Sequence, residues 1–185
     1  MSIKLRNLNK ELAAKIKRCI SLLEDEYKNL DYALFFYDTP KKLQSEQKRN
    51  PDLNSEELQQ ILNGETVTAG ITLPDKKEIK IFLFHYDNII SDPRDIIPLI
   101  ANIYHELRHA WQNENNRFQD EEELSSLDDN IEAYLSLPSE KDAFRFQRNQ
   151  MQKHMRTVLD IFGLTNISFN QPYDLYPWIK EIVDA

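Results

Sequence analysis

The 185-residue chain predicts an α+β protein, with a small antiparallel or mixed sheet packed on two long helices and a further helix at the N-terminus. Three observations carry that expectation. Two apolar stretches, residues 66–73 and 78–85, flank Pro74-Asp75-Lys76-Lys77 and read as a β-hairpin. Apolar residues recur at helical spacing through Ile96, Ile100, Ile103, Leu107, Ala110 and Trp111. A second such stripe runs through Ala143, Phe144, Met151, Met155, Val158, Leu159 and Phe162, and Gly163 ends it. The length suits one domain over residues 1–185 with a substantial core.

The elements follow in order. Leu5, Leu8, Leu12, Ile16, Ile20, Leu23, Tyr27 and Leu30 predict one long amphipathic N-terminal helix. Tyr32-Ala33-Leu34-Phe35-Phe36-Tyr37 is short and rich in strand formers, so it reads as a strand ending at Asp38-Thr39-Pro40. Residues 41–53 are polar and contain the turn signal Asn50-Pro51-Asp52. Asn54 and Glu57 form a capping box for a short helix that Asn63-Gly64 stops. In the second hairpin strand, Ile79, Ile81 and Leu83 share the apolar face with His85 at its end, which leaves Lys80 for solvent. Ser91-Asp92-Pro93 announces the first long helix, and Pro98 either marks its true start or kinks it. A short helix is expected near residues 127–135, and another follows Pro177.

Composition narrows the function classes. A formal charge of −8 argues against nucleic acid or an anionic membrane as the main partner. Cys19 is the sole cysteine, so no internal disulfide forms, and its helical position reads as a small buried hydrophobe. The start carries no signal-like apolar run, and nothing approaches the roughly 18 apolar residues of a membrane span. A cytoplasmic protein is expected.

The chemistry concentrates in Ile103-Tyr104-His105-Glu106-Leu107-Arg108-His109-Ala110-Trp111. On a helix, residues i and i+4 lie one above the other on a single face, so His105 and His109 can both reach one metal ion. Two neutral imidazole nitrogens suit tetrahedral Zn²⁺ at about 2.0–2.1 Å. Glu106 is poorly placed to ligate beside His105 but well placed to take a proton from activated water. Two histidines and a glutamate on a buried helix are costly unless something pairs with them.

A catalytic zinc takes three protein ligands and keeps a position open. No third histidine follows His109 at short spacing, which excludes the metzincin pattern. The remaining arrangement draws a carboxylate from a second helix. Glu140 fits best, in the first turn of the helix that opens at Leu137-Pro138-Ser139; Asp142 and Glu132 are the alternatives. Asp142, three residues after Ser139, suits a capping role.

These residues resemble a known family. Gly70-Ile71-Thr72-Leu73-Pro74 with Ile79-x-Ile81, His105-Glu106-Leu107-Arg108-His109-Ala110, and Tyr134 through Pro138-x-Glu140-x-Asp142-Ala143-x-x-Phe146 look like a minimal gluzincin metallopeptidase. The similarity is to ImmA/IrrE-type small bacterial and phage-associated domains, over residues 64–150. It implies that His105, His109 and Glu140 bind Zn²⁺, that Glu106 is the general base, and that a protein or peptide substrate lies extended along the edge strand. Many relatives place an acid four residues beyond the ligand Glu, where this chain has Phe144, so the partner of one metal histidine stays unassigned. The helix-turn-helix domain that some relatives carry is not seen. A zinc metalloendopeptidase is the expectation; the alternative is a catalytically inactive zincin-like binding or regulatory protein.

Overall fold

The computed structural model describes residues 3–53, 55–63, 69–121, 131–167 and 172–185, with side chains omitted for residues 55–57. It is an α+β fold in which a mixed sheet is covered by helices on both faces. The strands are β1 (Lys4–Arg6), β2 (Ala33–Tyr37), β3 (Gly70–Leu73) and β4 (Glu78–Phe82), in the spatial order β1-β2-β4-β3. β1 and β2 run parallel, as do β2 and β4, whereas β3 returns antiparallel to β4 with Thr72 opposite Ile79. The expected hairpin is therefore present, closed by a 3₁₀ turn over Pro74–Lys76 with Lys77 at φ 52°. Residues 66–68 of its first expected strand lie outside the described residues.

The single N-terminal helix is corrected. Ile3 belongs to the core and Leu5 to β1, while Asn7 takes a left-handed φ of 64°. The Asn9 side chain then accepts the Leu12 N–H at 2.9 Å, which starts α1 (Lys10–Ile20). Ser21 ends it by donating its hydroxyl to the Arg18 carbonyl at 2.7 Å, and α2 (Asp25–Lys28) follows. The apolar period was real, since Leu12, Ile16, Ile20, Leu23, Tyr27 and Leu30 are all buried. Asparagine and serine bonding to the local backbone broke the helix into pieces.

Both faces of the sheet carry core. Leu34, Phe36, Ile79 and Ile81 pack with α1, α5 (Pro93–Glu114) and α7 (Pro138–Phe162). On the other face, Tyr37 and Phe82 meet Leu43 of α3 (Pro40–Gln47) and Ile61 of α4 (Ser55–Asn63). α3 occupies the stretch expected to be a polar connector, with Thr39 as its cap and Pro40 at its start. The capping box expected at Asn54 and Glu57 falls outside the described residues and side chains.

Because α3 and the turn after it cover that face, Lys80 is fully buried rather than solvated. Its Nζ lies 2.7 Å from Asp52 and 3.6 Å from Glu46, and it donates to the Tyr37 hydroxyl at 3.5 Å. Gln47 holds the turn by accepting from the Asp52 and Leu53 N–H groups, both at 3.1 Å. His85 is corrected in the opposite sense: the chain leaves the strand at Leu83 for a 3₁₀ turn, and His85 is exposed.

α5 begins at Pro93, capped by the Asp92 side chain, so Pro98 lies inside the helix. α7 ends in a Schellman motif, with Gly163 at φ 87° and the Leu164 N–H bonded to the Leu159 carbonyl at 2.9 Å. α6 (Ile131–Ser136) and α8 (Pro177–Asp184) form a small satellite core through Leu135, Leu175, Ile179 and Val183. No helix among the described residues is long and apolar enough to cross a membrane.

Candidate metal centre

α5 and α7 pack together along the first sheet face, and this pairing builds the site. Ile96, Ile100, Ile103, Leu107 and Ala110 face the core. The turn-spaced His105 and His109 are thereby set at the edge of the buried stripe, against the first turn of α7. Glu140 arrives from there. Its Oε1 is 3.1 Å from His109 Nε2 and its Oε2 is 3.2 Å from His105 Nε2. The two ring nitrogens are 3.0 Å apart.

Each Nε2 can hold one proton or one lone pair, so protons cannot satisfy all three of these close approaches together. Glu140 Oε2 has no hydrogen-bond partner among the described residues despite its burial. A divalent cation answers all three groups: tetrahedral arms of about 2.0–2.1 Å set ligand atoms about 3.3 Å apart. The residues fit zinc. Among the described residues they form a group of His, Cys, Asp or Glu able to hold a metal, with every ligand atom within 4.8 Å of the others. Asp142 and Glu132 do not join it, and Glu132 is exposed on α6.

Asp142 is not a helix cap either. Leu137 stands at the cap position without a side-chain bond, and the Ser139 N–H is met at 2.8 Å by the Glu121 carboxylate. Asp142 instead accepts from Arg108 at 2.7 and 3.0 Å and from Gln112 Nε2 at 2.8 Å. Gln112 also donates to the Ser139 carbonyl at 2.9 Å, which fixes its Oε1 as an acceptor for His109 Nδ1 at 2.9 Å. The proton of neutral His109 is thus held on Nδ1, and Nε2 is left free for a metal. His105 has no such support: its buried Nδ1 finds no partner among the described residues. Phe144 lies against that ring at 4.4 Å between centroids.

Glu106 is positioned from the sheet. The Thr72 hydroxyl sits 2.7 Å from its Oε2 and 3.1 Å from its backbone carbonyl. Gly70 makes the approach possible, since a Cβ there would fall 2.9 Å from Glu106 Cγ and 3.0 Å from Asn102 Nδ2. Burial raises the Glu106 carboxyl above its ordinary value, offset only in part by the two histidines and Thr72. Burial also pushes His109 down, but Glu140, Glu106 and Gln112 more than reverse it and carry the imidazole up to about 9. Glu140 is pushed up by burial and drawn back well below the carboxylate range by the two histidines.

No known family, curated protein or solved structure matches the chain.

The centre opens into a cleft of about 590 Å³. Ala69 and Gly70 of the sheet edge, Tyr86, Asn102 of α5 and Phe144 of α7 line it beside His105, Glu106 and Glu140. His85 also reaches the cleft, from the exposed 3₁₀ turn. Gln112, Thr72, Arg108 and Asn102 were not singled out from the sequence. Only the spacing of Asn102 and Gln112, each three residues from a candidate histidine, hinted at them.

Proposed function

We propose that this protein is a gluzincin-like, zinc-dependent endopeptidase, with His105, His109 and Glu140 as ligands and Glu106 as general base. The observation that carries the reading is the convergence of those three ligand groups across α5 and α7, with Glu106 facing the same cleft. Bound there, zinc supplies Lewis-acid polarisation of a peptide carbonyl and lowers the pKa of water towards about 7.

The chain's own residues do the rest. Gln112 and Asp142 hold the His109 ring in one tautomer. Thr72 occupies Glu106 Oε2 and leaves Oε1 for the proton of the attacking water, which Glu106 then hands to the leaving amine. β3 is an edge strand beside the cleft, so a peptide can add to it in extended form. The buried, unpaired Cys19 supports a reducing, cytoplasmic setting.

The test is cleavage of a proteome-derived peptide library by the purified protein, with metal content measured in parallel. Zinc near one equivalent per chain and chelator-sensitive cleavage are expected. Bound zinc without cleavage of any peptide would overturn the peptidase reading in favour of a binding protein.

A further inference from the structure

The cleft continues past the metal ligands into a wall that the proposed reaction does not use. Phe144 stands against the His105 ring, and Leu135 and Ile179 of the satellite core form the back. Tyr173, Tyr176 and Trp178, from the start of α8 and the residues before it, complete the rim. Tyr176 is 65% exposed and Trp178 41%, and these are two of the three large apolar side chains most open to water among the described residues. Exposed aromatics gathered on one rim mark a surface that another molecule covers.

The charges around this wall are already engaged. Among the described residues no lysine or arginine lines the cleft. Asp174, the one acid there among the described residues besides Glu106 and Glu140, is bound by Lys180 and lies 3.8 Å from Arg148. A charged side chain entering here would lose water without gaining an ion partner, whereas a large apolar one would cover aromatic surface.

We propose that the wall formed by Phe144, Leu135, Ile179, Tyr173, Tyr176 and Trp178 selects peptide substrates by a large aromatic or aliphatic side chain flanking the scissile bond. The occupant is the peptide being cut, because the wall is continuous with the ligand groups and faces the same cleft as the β3 edge. This rests on the endopeptidase reading and adds the substrate class.

Two measurements test it on the zinc-loaded full chain. The first is affinity for short peptide hydroxamates carrying Phe, Leu, Gly, Asp or Lys, read by calorimetry. Phe and Leu compounds should bind at least about tenfold tighter than the Gly compound, and the charged ones no better than Gly. The second is library cleavage by the wild type and by Trp178→Ala and Tyr176→Ala, both at exposed positions that leave the core intact. Cleavage should place a large apolar residue at one flanking position, and each variant should raise KM more than it lowers kcat. Equal binding of all the hydroxamates, or a charged residue at both flanking positions, overturns the wall's role and leaves the peptidase reading standing. Side-chain-selective binding without any cleavage sinks the peptidase reading while retaining the wall. Failure to take up zinc overturns both.

Discussion

Glu140, Asp142 and Glu132 lie within ten residues of one another in the chain, yet they have three different surroundings. Glu140 is buried against both imidazoles, Asp142 bonds Arg108 and Gln112, and Glu132 faces solvent. Glu140→Ala should weaken zinc binding roughly tenfold or more in a competitive metal titration, while Glu132→Ala should leave it unchanged. Asp142→Ala should cost about 1–2 kcal/mol in urea unfolding, because it strands the Arg108 guanidinium against Trp111; the Asp142 side chain is 30% exposed, so the cost falls short of a fully buried pair. The same substitution should lower zinc affinity severalfold, since Gln112 loses one of the bonds that orient it. A pure capping residue would leave zinc affinity alone. Glu106→Gln should keep the metal and abolish cleavage, and cleavage by the purified variant would remove Glu106 from the mechanism.

Among the elements, the contact of β3 with α5 is the narrowest. Gly70 has no left-handed φ, so its need for hydrogen in place of a side chain is steric: α5 crosses directly over it. An alanine Cβ would meet Glu106 Cγ at 2.9 Å and Ile81 Cδ1 at 3.0 Å. Gly70→Ala should therefore push the strand away from the helix and cost about 1–3 kcal/mol by thermal unfolding. It should also lengthen the Thr72–Glu106 bond and lower kcat, with zinc content unchanged. A variant as stable and as active as the wild type would show that the strand and helix have slack. The Gly70-Ile71-Thr72-Leu73 motif and Glu106 were each visible in the sequence, but their pairing across 34 positions was not.

On the scale of the whole molecule, a buried ion pair lies beneath the sheet on the side away from the metal centre. Burial pushes the Asp52 carboxyl up, but hydrogen bonds from Lys80 and Gln47 and the charges of Lys80 and Lys76 bring it below its ordinary value. A carboxyl lowered on folding contributes stability that is full above its unfolded pKa of about 3.9 and is lost as pH falls through the lower folded value. Unfolding free energy should therefore decline below about pH 4. Lys80→Met should destabilise the protein at neutral pH, because the 3%-exposed Asp52 is left with Lys76 at 3.3 Å as its remaining cation partner. It should also flatten the acid decline, and an unchanged stability-versus-pH curve would show that the pair contributes nothing.

Much of this was determined by local order along the chain. The His105-Glu106-x-x-His109 spacing, Asp92-Pro93 at the start of α5, Pro138 at the start of α7 and Gly163 after its end act within a turn or two of backbone, so they can be read from neighbouring residues. The α+β class followed because the helical and strand periods are each written in consecutive apolar positions. Other features depend on what packs from elsewhere in the chain. Lys80 is buried only because α3 and the Asp52 turn cover its face of the sheet, which alternation within one strand cannot report. The break in the N-terminal helix arose where Asn7, Asn9 and Ser21 outweighed a continuous apolar period, and β1 formed because β2 offered it a parallel edge. Asp142 became an ion-pair partner because Arg108 lies on the helix it faces. The aromatic wall likewise joins Leu135 and Phe144 to residues 173–179, set beside His105 by the packing of α8 on α6 and α7. Periodicity fixes which side of an element is apolar, and only the packed chain decides which surface meets it.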